Sequence, residues 1–242
     1  MLKVTEKLRF PKFLAISWDY LMMLVEIFDT KIGDRFRQFG FRVAIMQLAK
    51  IIIRPIYIKC VQKVFIIPDF HGVNYHDPDL REMTLECIKQ AVEKGDFSFK
   101  EGQMFRGFLQ SGCRGFYVNI NEKIAGYAWL QGTGVYEFGH GGKLILPNNS
   151  AVVKNVYVFR QFRGRGISRR LNAACLAAIP PGVIPTIFII PENRYAIRSW
   201  ERFAAIPVLL VERITWFQKF SRTIVVRLSN IKPVENLISR IS

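Results

Sequence analysis

Val156-Tyr-Val-Phe-Arg-Gln-Phe-Arg-Gly-Arg-Gly-Ile-Ser168 runs from an apolar strand through a basic, glycine-containing turn into the start of a helix. β-Branched and aromatic residues suit extended chain, and glycine lets the backbone come close to a ligand. The free amides of a helix start, reinforced by the helix dipole, make an anion site. Arg163 and Arg165 add charge at the same place, so a diphosphate is the natural occupant. The stretch lacks the full GxGxxG of a dinucleotide turn and the Gly-Lys-Ser/Thr ending of a P-loop. On the residues alone, the alternative is that Gly164 and Gly166 only shape a tight strand-to-helix connection.

Outward from this stretch, the pattern predicts a strand over 151–159 and a helix over 167–179, then a buried strand over 186–190, a helix over 194–203 and strands near 209–217 and 223–228. Upstream, Val61 to Ile67 reads as a strand closed by Pro68 and Asp69. Asp77 reads as an N-cap with Pro78 in the first turn, opening a helix to Lys94, and a second helix spans Ser98 to Gln110. Strands are expected over 115–120 and 124–130. Residues 131–150, rich in Gly and Asn, read as a long loop or irregular hairpin pairing 135–138 with 143–146, long enough to serve as a substrate lid. This order specifies an α/β (α+β) fold, a mixed sheet with helices on its faces.

Residues 1–60 form a basic extension. Ile32, Phe36, Phe39, Val43 and Met46 recur at helical spacing. The expected organisation is therefore an amphipathic helical extension, 1–60, and a main domain, 61–242. The apolar faces of the extension must be covered, by the main domain, by a second copy in a homodimer, or by an anionic membrane surface that meets the Lys and Arg side chains. Asp19 and Glu26 interrupt any secretory signal, and the apolar run 41–67 is broken by five basic residues and Pro55. The expected location is the cytoplasm, with peripheral contact at the inner face of the membrane as the variant.

The chain carries a formal charge of +16, which attracts anionic partners. Nothing reads as a nucleic-acid motif. Cys60, Cys87, Cys113 and Cys175 are scattered without a CxxC pair, and His71, His76 and His140 form no metal spacing. No metal site is expected.

The strand and turn over 158–168 resemble the acetyl-coenzyme A signature of the GNAT acetyltransferase superfamily, an Arg/Gln-x-x-Gly-x-Gly/Ala turn that here reads Arg163-Gly164-Arg165-Gly166-Ile167-Ser168. A second segment, Ile189 to Phe203, is similar to the family's strand ending in Asn and the helix that follows it. The resemblance covers residues 61–229 and implies a mostly antiparallel central sheet and an N-acyltransferase. Acetyl-CoA or another acyl-CoA would be the co-substrate and a small-molecule primary amine the acceptor. It implies that amides from Arg163 to Ser168, Ile167 included, hold the diphosphate, that the strand at Val156, Val158 and Phe159 parts from its neighbour to bind the pantetheine arm, and that Asn193 contacts that arm. A backbone amide near Val158 or Phe159 would stabilise the oxyanion as the amine attacks the thioester directly.

Three positions depart from the family pattern. Ser168 stands for the usual Gly or Ala. Trp200 stands where many members have the Tyr that protonates the thiolate, which leaves Tyr195 as the substitute on that helix. Lys154 and Asn155 stand where some members place a carboxylate, which leaves Glu137 or His140 as candidate bases. Alternatives to an acetyl-CoA enzyme are a long-chain transferase fed by acyl-CoA or an acidic acyl carrier protein, and a non-catalytic, membrane-associated CoA-binding module.

Overall fold

The structure, a computed structural model, describes residues 57–138, 141–217 and 220–229. Its strands are β1 (Tyr57–Ile66), β2 (Leu80–Glu82), β3 (Arg114–Ile120), β4 (Lys123–Gln131), β5 (Gly134–Phe138), β6 (Gly142–Leu146), β7 (Ser150–Val158), β8 (Ile184–Ile189), β9 (Ile206–Trp216) and β10 (Phe220–Arg227). Its helices are α1 (Leu85–Glu93), α2 (Phe99–Gln110), α3 (Ile167–Ala177) and α4 (Arg194–Glu201). Eight strands form one sheet in the order β10-β9-β1-β8-β7-β4-β3-β2, and β5 and β6 form a separate hairpin. β7 and β8 run parallel, whereas β1–β8, β2–β3, β3–β4, β4–β7 and β9–β10 are antiparallel. The fold is thus α+β, with a mixed and mostly antiparallel sheet.

Period-two alternation decides which side chains meet which cover. On one face Phe65, Ala125, Leu130 and Val153 pack against Ile167, Leu171, Ala174 and Cys175 of α3 and Trp200 of α4. On the other face Ile124, Tyr127 and Trp129 meet Ile88 of α1, Phe105 of α2 and Phe97 in the connection between them. Full burial of side chains the size of Phe105 contributes about 1.5–3 kcal/mol each. α2 is closed by a capping box in which the Ser98 hydroxyl accepts from the Glu101 amide and Glu101 accepts from the Ser98 amide.

Three expectations change. Asp77 does not cap a helix: residues 80–82 pair with β3, and α1 begins later with Thr84 as N-cap, its hydroxyl accepting from the Cys87 amide. The Asp77 carboxylate is instead taken by the guanidinium of Arg170, and Tyr75 donates its hydroxyl to the same carboxylate. Residues 57–60, expected in the extension, belong to β1; the rest of the extension and its amphipathic helix lie outside the described residues. The 131–150 segment is a regular hairpin with Val135 opposite Ile145. Tyr136, Phe138, Leu144 and Leu146 are buried against Val64, Ile66, Val152 and Val208, and Tyr136 stacks on Phe188 at 4.2 Å. Packed in this way, the hairpin is part of the core rather than a lid. No helix among the described residues is long and apolar enough to cross a membrane.

Candidate active site

The parallel pairing of β7 with β8 covers Ser150–Val153 against Ile184–Ile187 and ends there, while β7 continues to Val158. A bulge in β7 coincides with the end of the pairing. Lys154 is opposite Trp129 and Tyr157 is opposite Tyr127, so Asn155 and Val156 share the single partner position of Ala128. Asn155 takes the left-handed conformation, φ 51°, which Asn tolerates better than most residues.

The parting leaves a cleft of about 770 Å³ lined by Val156, Tyr157, Val158, Arg163, Gly164, Gly166, Ile167, Ser168, Asn193, Tyr195 and Trp200, among others. Backbone direction within it follows from the ladder. The Phe159 amide donates to the Ala125 carbonyl at 3.0 Å, and since successive N–H groups of a strand alternate in direction, the Val158 amide points away from β4, toward the side that β8 has left. The Val158 carbonyl accepts from Arg163 Nε at 3.2 Å.

After a short 3₁₀ turn, Arg160–Phe162, the chain passes Gly164 (φ +80°) and Gly166 (φ +73°) into α3. Both left-handed positions need glycine. The amides of Ile167 and Ser168, at the start of α3, have no intrahelical acceptor. Behind them is a polar chain: the buried Asn172 side chain donates to Ser199 Oγ at 3.1 Å, and Ser199 Oγ lies 3.4 Å from Ser168 Oγ. Asn193 lines the cleft while its Oδ1 caps α4 by accepting from the Ala196 amide at 3.1 Å.

The turn residues other than Arg165, with Val156, Val158, Asn193 and Tyr195, are therefore brought together, and three other described candidates are not. The Phe159 amide is committed to Ala125, and its ring packs on Tyr157 at 5.2 Å rather than lining the cleft. The Arg165 side chain turns back over the Phe162 ring at 5.8 Å. Glu137 sits on the exposed side of β5, whose alternate residues Tyr136 and Phe138 face the core, and it does not line the cleft. His140 lies outside the described residues. Tyr195 is 87% exposed and Trp200 is 2% exposed, so the two do not present equivalent surfaces.

Gly126 is a site residue that sequence reasoning passed over. It stands opposite Val158, and a Cβ there would meet the Tyr157 carbonyl oxygen at 2.6 Å, Val158 Cα at 3.2 Å and Ile167 Cγ2 at 3.3 Å. Its signal was a glycine inside an otherwise apolar strand, which marks close backbone approach or a bulge. Arg170, which ties α3 to Asp77 and Asp79, left no signal of that kind.

The GNAT acetyltransferase family model matches residues 78–205, more than half of the chain. The chain belongs to the GNAT acetyltransferase family. The general reaction of this enzyme family is acetyl-CoA-dependent acetylation of an amine. Among solved structures, a GNAT-family protein from Novosphingobium aromaticivorans DSM 12444 is similar at 16% identity, with 71% of this chain and 66% of that one covered and a TM-score of 0.44. A ribosomal-protein-alanine N-acetyltransferase from Brucella melitensis matches at 16% identity over 51% and 82% of the two chains, TM-score 0.38. An aminoglycoside N-acetyltransferase in complex with CoA matches at 17% identity over 64% and 99%, TM-score 0.39. This chain spans just under two thirds of the length of the first of these. A comparison with curated protein sequences gives no match.

Proposed function

We propose that this protein transfers an acyl group, acetyl in the first instance, from acyl-CoA to a primary amine of a small molecule by direct attack on the thioester. The observation that carries this reading is the opening of β7 from β8 beyond Val153, which exposes the Val158 amide beside the glycine turn and the start of α3. In this reading the amides of Gly164 to Ser168 hold the diphosphate, and Arg163 both adds charge and ties the turn to the Val158 carbonyl. The open backbone of Val156 and Val158 lies along the pantetheine arm, and the Asn193 amide nitrogen, left free by the cap, reaches the same arm. CoA supplies an activated acyl carbon when bound.

The amine nitrogen bonds to that carbon, the Val158 N–H carries the developing negative charge on the carbonyl oxygen, and the carbon–sulfur bond then breaks. Tyr195 is the hydroxyl of the cleft that we assign to protonate the departing thiolate, because the Trp200 indole has no proton to give at neutral pH. Among the described residues no carboxylate or histidine lines the cleft, so the amine attacks in its neutral form, and the proton its nitrogen loses on becoming an amide passes to water and restores the Tyr195 hydroxyl. We place this chemistry in the cytoplasm, in keeping with four free cysteines.

A second donor is favoured by one observation. Arg163 lines the cleft, and Arg160, Arg165, Arg169, Arg194 and Arg198, on the turn and on the helices α3 and α4 that contribute to the cleft, are exposed; none makes an ion pair among the described residues. Such a collar suits an acidic acyl carrier protein as well as CoA phosphates.

Thermal unfolding with CoA, acetyl-CoA and longer acyl-CoA donors tests the main reading. A ligand at 100 times its Kd stabilises by about 2.7 kcal/mol. No protein atom lies within 4 Å of a Cβ built at Gly164, so loss of the shift in Gly164→Val reports on ligand and backbone strain rather than on a clash within the protein. A wild-type shift that vanishes in this variant is expected. An equal shift in both proteins removes the turn from the site, and a shift only with an acyl carrier protein selects the second donor.

A further inference from the structure

With the donor against Val156 and Val158, the acceptor must come from the side that the donor leaves free. The Val156 and Val158 side chains pack toward the α3 face of the sheet, whereas the Tyr157 side chain meets Tyr127 on the α1–α2 face. We propose that Tyr157, Tyr127 and Lys154 form the acceptor subsite, and that its ligand is an amine joined through a flat apolar body to an anionic group. This rests on the donor assignment above.

The bulge makes the subsite possible. Side chains three residues apart on a regular strand point to opposite faces. Here Lys154 is opposite Trp129 and Tyr157 is opposite Tyr127, and both partners belong to the same aromatic cluster beneath α1 and α2. The extra residue between them puts the lysine and the tyrosine on one face. Tyr157 is 41% exposed as a residue, and its ring lies over Tyr127 at 5.6 Å, with Phe159 edge-on at 5.2 Å. That is an open aromatic wall on a rigid base. Burial pushes the Tyr127 phenol up to about 12, so it adds no negative charge to the wall.

Lys154 closes the far end. Its ammonium lies over the Phe108 ring at 4.1 Å and donates to Gln131 Oε1 at 2.7 Å. It is half-buried and makes no ion pair among the described residues. An ammonium has three donors, and a partly desolvated one gains strongly from a charge-assisted partner. The counter-ion that the protein does not provide is what an acceptor carries in. Val158 is four positions after Lys154, at most about 13 Å of extended chain, so amine and anion stand several bonds apart with room for a ring between them.

The test uses acetyl-CoA and three matched acceptors on the full chain: 4-(aminomethyl)benzoate, benzylamine and 1,4-bis(aminomethyl)benzene, read by thiol release. Wild-type kcat/KM for the benzoate should exceed that for benzylamine by about tenfold or more. Lys154→Gln should bring the ratio toward one, Lys154→Arg should keep the preference, and Lys154→Glu should shift it to the diamine. Tyr157→Ala should raise KM for all three. Ligand-observed NMR of the benzoate with CoA present gives a readout that needs no turnover. Binding that depends on Lys154 without any thiol release would count against the transfer reaction and leave the subsite standing. Equal kcat/KM for benzoate and benzylamine, binding indifferent to Lys154→Gln, or no binding to the wild-type protein would overturn the subsite.

Discussion

Val152 and Val153 of β7 are paired on both sides, to β4 and to β8, and are fully buried; residues 154–158 keep β4 alone and alternate between half-buried and exposed. Both halves are rich in β-branched residues, so local preference does not separate them. What separates them is the bulge at Asn155 together with the departure of β8. In the closed half every backbone group is spent on the sheet. In the open half the Val158 amide is available, because its strand neighbour on that side is gone and its own direction is fixed by the Phe159–Ala125 bond. A β-sheet thus acquires a chemically useful amide by losing a partner strand, and the glycine turn beside it is placed to anchor whatever uses that amide.

The change that should most strongly break this contrast is Gly126→Ala. The Cβ would stand 2.6 Å from the Tyr157 carbonyl oxygen, and backbone cannot yield as a side-chain tip can. We expect a loss of up to about 3 kcal/mol in urea unfolding, the upper range for overpacking. A roughly 100-fold fall in kcat/KM for acetyl transfer should accompany it if Val158 shifts from the oxyanion position. Lost stability with unchanged kcat/KM would show that the Val158 amide is not the oxyanion donor.

Much of the contrast was readable beforehand at one end only. The glycine turn declared itself, because left-handed positions before a helix restrict residue choice to glycine, and Gly164 and Gly166 supply it. The capping box at Ser98 and Glu101 was similarly local. The bulge was not readable: it depends on how β4 and β7 align, and nothing in Lys154-Asn155-Val156 states that alignment. Asp77 misled for a related reason. Its sequence context, Asp followed by Pro, is that of a helix cap, but an arginine 93 residues later takes its carboxylate. Glu137 is kept out of the cleft lining because a hairpin exposes and buries alternate residues, and the buried set includes its neighbours on both sides.

The Arg170–Asp77 pair offers a sharper, smaller test of what holds the open half in place. It fastens α3, whose start faces the cleft, to the segment before β2. The Arg170 guanidinium bonded to it holds the Asp77 carboxyl at about 2, against an ordinary 3.8. The folded value is depressed, so the stabilisation is complete above the unfolded pKa and is lost as pH falls from about 4 through about 2. Asp77→Asn should therefore cost about 2 kcal/mol near neutral pH and flatten the acid limb of a stability-against-pH curve. An unchanged acid limb would mean that other carboxylates govern it.

The smallest effect distinguishes the two hydroxyls behind the turn. Asn172 donates to Ser199, which leaves the Ser199 hydrogen free to turn to Ser168 and the Ser168 hydrogen free to turn into the cleft. Removing the outer hydroxyl and removing the inner one should then have different consequences. Ser168→Ala deletes a group at the ligand and strands nothing inside, so it should weaken CoA about fivefold in calorimetry, near 1 kcal/mol, with little change in melting temperature. Ser199→Ala strands the buried Asn172 amide, whose Oδ1 already has no partner among the described residues, so it should cost about 1–3 kcal/mol of stability and less in affinity. If both variants lose affinity equally and keep their stability, the two serines act on the ligand together and Asn172 orients them. If Ser168→Ala binds CoA as the wild type does, the amides of the turn carry the diphosphate alone.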